Sequence, residues 1–508
     1  VRALDLAIIA LFLVGMPLLG IWIAGRQRSG SDYFVGEGKI SWWVACLSVV
    51  SAETSTLTVL SVPTVAYLGA FTYLQLAIGY IIGRVVVSFV LLPRYVAGNM
   101  TTAYNFLGKR FGGGLQGTAS VTFLLTRLLA DGVRLFATAI PVKVVLAAYG
   151  VTAQYWQIVA VLGVAMVIYT FFGGVRAVVW VDAIQMLWYV LGAIAVIAAL
   201  SGKLPDGWWG SAVEAGKTQI LDFASAPLSN QYSFVTAVIG GAVLSMASHG
   251  ADQLIVQRLM ACNDVRASQK ALIASGVVVL VQFALFLLIG TMLWSFYKGL
   301  DPVRELGLTT NDELFANFIV TELPSGLSGF VIAGILAAAL SSSLSALASS
   351  TVSDVYQRIV RRPLTDREIL RQGRIWTVVW AGALIVFASL FTTTKNPIVE
   401  TALAITGYTY GALLGAFLLG LWVRRARQGD AITAFVVTVA VMAFVILGLK
   451  FSKTDGTFLG VSFARAAGDS VALAFPWYTP LGVVVTLAVG WLMSLRHART
   501  EKHTYKHS

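Results

Sequence analysis

Long apolar runs separated by short polar turns recur along the whole chain. Read against Gly, Pro and charged turn signals, they predict about thirteen helical spans. These cover roughly 3–25, 41–68, 71–93, 115–148, 152–173, 178–201, 233–260, 270–297, 325–357, 371–394, 397–424, 428–449 and 474–496. Barrel strands would be about ten residues long with alternating polarity, and these runs are longer and continuous. The first run, 3–25, is expected to be a retained span rather than a secretory signal. Its basic residues, Arg26 and Arg28, follow the apolar stretch, whereas a signal has its positive end first.

Composition turns this pattern into a membrane protein. Of 508 residues, 57% are hydrophobic and 12% charged, against about 25% charged in soluble domains. Mean hydropathy is +0.80. Neither a soluble domain nor a disordered chain accommodates that much apolar surface, so lipid is the solvent for most of it. Cys46 and Cys262 form no disulfide framework and no metal motif.

The net charge of +12 reads as topology rather than as a nucleic-acid surface. With the N-terminus outside, about two-thirds of the Lys and Arg fall at predicted inner ends, as the positive-inside rule requires. The C-terminus is then cytoplasmic. The longest loops, about 202–232, 298–324 and 450–473, lie outside and are expected to be compact caps or amphipathic pieces. No soluble domain of about 50 residues interrupts the spans. Gly112-Gly113-Gly114 lacks the Gly-Lys-Ser/Thr of a phosphate loop, so an ATP-driven motor on this chain is not expected.

Polar residues inside spans are costly and mark function. The second span carries Ser48, Ser51, Glu53, Thr54, Ser55, Thr56 and Thr58 at midplane depth, with Pro63 beyond. An interrupted helix, whose freed carbonyls line a cavity, explains such a run. The seventh span has a second interruption at Gly240-Gly241, Ser245, Ser248, His249-Gly250 and Asp252-Gln253. Polar breaks in two separated spans point to a transporter site. The ninth span is dense in hydroxyls from Ser341 to Thr351; these suit a hard cation such as sodium, or else a close-packing face of small residues. Asp182, near the inner end of the sixth span, is either a cation ligand or the partner of Arg176 or another inner arginine. Arg127, Asp131 and Arg134 share one face of the fourth span, as a self-neutralising stripe or as a cavity wall. Glu53 and Arg84 are further intramembrane charges and candidate partners.

Four motifs carry a family resemblance. They are Ser31-Asp32-Tyr33-Phe34-Val35-Gly36 with Trp42-Trp43; Gly173-Gly174 with Ala177-Val178-Val179-Trp180, Asp182 and Gln185; Asp252-Gln253 with Val256-Gln257-Arg258; and Ser342-Ser343 through Ser353-Asp354-Val355-Tyr356. In this order, over about residues 5–430, they resemble the sodium:solute symporter family, which contains the sodium–glucose cotransporters. The resemblance implies an all-α polytopic membrane fold with a LeuT-like core of two inverted five-helix repeats. The division is 1–30 for an accessory helix, 31–201 for the first repeat, 202–232 for an outer loop, 233–427 for the second repeat, 428–496 for two accessory helices and 497–508 for a cytoplasmic tail.

The resemblance also implies site residues. A main sodium site would use carbonyls of Ser51, Thr54 and Ala339 and hydroxyls of Ser342 and Ser343. A second sodium would use Asp182 and Ser345, but the next position, Ala346, brings no hydroxyl; one or two ions stay open. Polar positions used by sugar-carrying members fall on Thr58, Ser245, Val279 and Leu403, the covering aromatic on Ser248, and Gln75 lies near another. Two of these being apolar argues against copying a sugar. Asp131 would suit a hydroxyl-rich or cationic solute and Arg134 a carboxylate.

The expected function is sodium-coupled symport of a small polar organic solute by alternating access, in the plasma (inner) membrane. Its expected partners are sodium, the solute and membrane lipid, with no nucleic acid and no obligate protein partner. The alternatives are proton-coupled symport on the same fold and a membrane sensor retaining that fold. A membrane hydrolase built on His249 and Asp252 lacks a recognised triad spacing, and no enzymatic activity is expected.

Overall fold

The computed structural model describes residues 3–504 except 26, 28, 37–39, 55, 99, 149, 309, 341–342, 391–404, 453–457 and 462–469. Its principal helices are α1 Ala3–Ala24, α2 Gly30–Val35, α3 Trp42–Glu53, α4 Thr56–Leu68, α5 Leu74–Val90, α6 Tyr104–Phe111, α7 Gly113–Ala148, α8 Tyr155–Ser201 and α9 Gly241–Gly250. They continue as α10 Gln253–Met260, α11 Val265–Phe296, α12 Glu313–Glu322, α13 Leu327–Leu340, α14 Leu344–Ser350, α15 Asp366–Ser389, α16 Tyr410–Trp422, α17 Gln428–Gly448 and α18 Tyr478–Thr504.

Among the described residues, seven helices are long and apolar enough to cross a membrane unaided. Several of the other predicted spans are broken, or carry charge that a lipid-facing helix would not tolerate. α7, for example, holds Arg127, Asp131, Arg134 and Lys143. The second span is two helices, Trp42–Glu53 and Thr58–Leu68, meeting at 64°. The seventh span divides between α9 and α10, and the ninth between α13 and α14.

The predicted spans 152–173 and 178–201 are one helical run, α8, turned at a single residue. Gly174 has φ 56° and ψ −155° there, a conformation essentially confined to glycine. A Cβ would also stand 2.6 Å from the Tyr33 carbonyl oxygen. The second broken helix lies close against α5 because of small residues: Cβ atoms on Gly79 and Gly83 would come within 2.5 Å of Val238 O and 2.2 Å of Ala242 O. Two glycines four apart permit such backbone approach in lipid.

α1 is tied to α13 by Asp5, whose carboxylate accepts the N–H groups of Gly326 at 2.6 Å and Gly329 at 2.8 Å. The basic loops gather at one end of the bundle. Arg110 reaches the carbonyls of Gly420 and Arg424 at 3.1 and 2.9 Å, and Arg358 bonds Gln116 at the start of α7. The 450–473 loop corrects the purely helical expectation. It carries a small antiparallel sheet of Leu449–Ser452 between Phe458–Val461 and Ser470–Val471, with Leu449 opposite Val461 and Phe451 opposite Val471.

Candidate sodium and solute site

At the first break, α3 ends with the Thr54 N–H on Val50 O at 2.8 Å. The last carbonyls of a helix need partners, and here an arginine supplies them. Arg134 Nη2 donates to Ala52 O and Glu53 O, both at 3.0 Å. The hydroxyls around the break face several helices. Ser51 Oγ is 2.5 Å from Tyr189 OH, and Thr54 Oγ1 donates to Gln282 Oε1 at 3.0 Å. Thr56 Oγ1 donates to Ile335 O and accepts from Thr138 Oγ1, each at 3.1 Å.

At the second break, Asp252 caps α10 by accepting the Leu254 N–H at 2.9 Å. Its other carboxylate oxygen takes Arg127 through Nε at 3.1 Å and through Nη2, and Tyr410 OH at 2.6 Å. Arg127 Nη1 lies 3.4 Å from Asp131, and Arg134 Nη1 lies 3.8 Å from the same oxygen. Alternating charges, Asp252 at the second break and then Arg127, Asp131 and Arg134 on α7, thus link one break to the other. A second link is built from Glu53, which is ion-paired with Arg84 and lies 3.7 Å from His249 Nε2. Arg84 also donates to Ser275 Oγ at 2.7 Å.

These contacts change the reading of several residues. The Arg127–Asp131 pair on one helix exists, but the principal partner of Arg127 is Asp252, on another helix. Asp182 is paired with Arg258, whose Nη2 and Nε stand at 2.7 and 3.1 Å, and accepts Ser48 Oγ at 3.1 Å. Arg258, near the end of the predicted seventh span, is therefore a core residue, its side chain 2% exposed. Ser345 Oγ accepts Gln257 Nε2 at 3.2 Å, so adjacent residues of α10 hold Asp182 and Ser345.

The remaining predicted residues divide. Ser343 is buried just ahead of α14 and accepts the Leu347 N–H on its carbonyl at 3.0 Å. Ala339 lies in the last turn of α13, while Ser342 and Leu403 lie outside the described residues. Thr58 is half-buried just past the first break. Gln75 is fully buried and bonded by backbone of the outer loop, to Tyr232 O at 2.7 Å and from Asp222 N at 3.0 Å. Ser245 Oγ donates to Tyr80 O at 3.1 Å, and Ser248 Oγ meets His249 Nδ1 at 2.8 Å. Gln75 and Ser245 are thus bonded to loop and helix backbone. Val279 is buried. Tyr189, Gln282 and Tyr410 were not anticipated; their sequence signal is a polar group inside an apolar span.

A family-level profile described as the sodium:solute symporter family matches residues 33–438. The sodium/sialic acid symporter NanT of Aliivibrio fischeri is 28% identical over 95% of this chain and 92% of its own. The human sodium/iodide cotransporter is 26% identical over 92% of this chain and 74% of its own. A solved substrate-bound, outward-open structure of a Na+-coupled sialic acid symporter superimposes with a TM-score of 0.81 at 24% identity, over 97% of each chain. The fold is thus that of a sodium-coupled symporter. This is an integral multi-pass membrane transporter, not an enzyme, with sodium as its coupling ion. A polar, interrupted first core span, a charged fourth span and a family profile over most of the chain lead to one conclusion: the chain belongs to the sodium:solute symporter family.

Proposed function

We propose that the chain moves a small carboxylate-bearing solute inward together with one sodium ion by alternating access. The observation that carries the solute class is Arg134. Its side chain is 26% exposed, against 9% for Arg127 and Asp131, and its guanidinium sits at the first helix break. Asp131 stands between two arginines, so it orients Arg134 and is poorly suited to a cationic solute. A guanidinium presents a planar fork that matches a carboxylate. One relative points the same way, since sialic acid is a carboxylic acid, while the iodide carried by another shares only the negative charge.

The sodium is held, in this reading, by carbonyls of Ser51, Thr54 and Ala339 and hydroxyls of Ser342 and Ser343. Support comes from the polar groups that converge on the first break and from the buried Ser343 ahead of α14. A second ion at Asp182 and Ser345 would have to share its carboxylate with Arg258, and Ala346 offers no ligand. One ion per cycle follows. The core is two inverted repeats, 31–201 and 233–427. The N-terminus is outside and the C-terminus cytoplasmic in the plasma (inner) membrane, as the basic loops gathered at one end support.

The test is competition in proteoliposomes under an inward sodium gradient, with monocarboxylates, sugars and amino acids as competitors. Monocarboxylates are expected to compete best, and Arg134→Gln to abolish that advantage. A sugar that competes better than every acid, with its rank unchanged in Arg134→Gln, would refute the acidic solute.

A further inference from the structure

Where the basic loops gather, a cavity of about 460 Å3 opens among the ends of α6, α16, α17 and α18. Arg110, Arg424, Arg425, Arg427, Gln428 and His497 line it. Arg110 is committed to backbone carbonyls. Among the described residues, no ion pair engages Arg424, Arg425 or Arg427, and no acidic side chain lines the cavity. Asp430, in the first turn of α17, is already bonded by His497 Nε2 at 3.0 Å and the Arg427 N–H at 2.9 Å.

The positive-inside rule accounts for arginines at this end. It does not account for their convergence on a concave site that an α-helix also enters by its positive end. α17 begins at Gln428, which lines the cavity, so its first N–H groups add to the arginine field. Exposed tryptophans set the height. Trp422 on α16 and Trp491 on α18 are 61% and 52% exposed, and outward tryptophans mark the headgroup level of a bilayer.

From these features we infer that the cavity binds a phosphate-bearing anion, supplied by the headgroup of an anionic phospholipid. Guanidinium groups bind phosphate oxygens in pairs, and basic pockets between membrane helices on the cytoplasmic side hold such headgroups. The site shares no residue with the sodium and solute site and does not depend on the solute class.

The purified full chain is measured by native mass spectrometry with phosphatidylglycerol, with phosphatidylcholine of the same acyl chains, and with inorganic phosphate. Phosphatidylglycerol is expected to bind about tenfold more tightly or better than phosphatidylcholine. The variant Arg424→Gln/Arg425→Gln/Arg427→Gln should lose that preference. The variant Arg361→Gln/Arg367→Gln/Arg371→Gln, which removes as many charges from another basic segment, should keep it. Displacement of bound phosphatidylglycerol by inorganic phosphate supports the phosphate chemistry. Phosphate binding without a lipid preference overturns the lipid source. Equal binding of both lipids by the wild-type chain, or equal losses in the two triple variants, overturns the site. If the cavity variant does not fold, Arg425→Gln alone must still weaken the preference, and an unchanged preference overturns the proposal.

Discussion

The charged residues of α7 have separable tasks, set by where each side chain ends. Arg127 is buried against Asp252 and Tyr410, and removing one member of a buried pair strands the other in low dielectric at a cost of about 3–5 kcal/mol. Asp252→Ala is therefore expected to lower the melting temperature sharply and to reduce uptake of all solutes alike; a thermal melt beside the uptake ranking checks it. Arg134 is more exposed, and beside its ion pair with Asp131 it holds two backbone carbonyls. Its charge-assisted bonds to a solute are worth about 1.5–3 kcal/mol. Arg134→Gln should thus raise the half-saturating acid concentration by about 10–100-fold and, by freeing the Ala52 and Glu53 carbonyls, lower the melting temperature less than Asp252→Ala does. Unchanged acid affinity would contradict that role. Ser343→Ala should raise the sodium concentration for half-maximal uptake, because an under-coordinated ion binds more weakly; an unaltered sodium dependence removes Ser343 from the site. Side-chain partners were the least legible part of the sequence. Spacing exposes an i,i+4 neighbour such as Asp131, but the pairing of Arg127 with Asp252 exists only once two distant spans meet. Which arginine pairs with Asp182 is hidden for the same reason, since a cation near a span end looks alike in sequence whether it faces water or a buried carboxylate.

At the scale of elements, polarity within apolar runs located the breaks well. Hydroxyls and Glu53 in the second span, and His249 to Gln253 in the seventh, mark the places where α3 gives way to α4 and α9 to α10. The strict geometry of a turn was less visible. Gly173-Gly174 stood out as a motif, yet only the backbone angles reveal why Gly174 is required. Gly174→Ala combines a glycine-only conformation, costing about 1–3 kcal/mol, with a clash against Tyr33 O. It should reduce the folded yield far more than Gly15→Ala, where a Cβ meets nothing within 4 Å. Comparable yields of the two would contradict this account of the α8 turn. Asp5 acts between elements by capping the start of α13. Loss of such a cap costs about 0.5–2 kcal/mol, so Asp5→Ala should lower the melting temperature modestly. The sheet beyond α17 left no clear trace in the sequence, because its strands are four residues or fewer and alternation needs a longer run to register.

For the whole molecule, the proposed stoichiometry has an energetic consequence. One sodium with one monovalent acid anion carries no net charge. The membrane potential, worth about 2.3 kcal/mol per charge per 100 mV, then contributes nothing. A tenfold sodium gradient supplies about 1.4 kcal/mol, enough to concentrate the acid roughly tenfold. The central claim is sodium coupling, and the most direct measurement is uptake of labelled monocarboxylates into proteoliposomes at zero potential with sodium, potassium or protons as the only imposed gradient. An inward sodium gradient is predicted to drive a transient accumulation above equilibrium, which a sodium ionophore abolishes and the other two gradients do not produce. Accumulation driven equally by a proton gradient in sodium-free buffer would contradict the account.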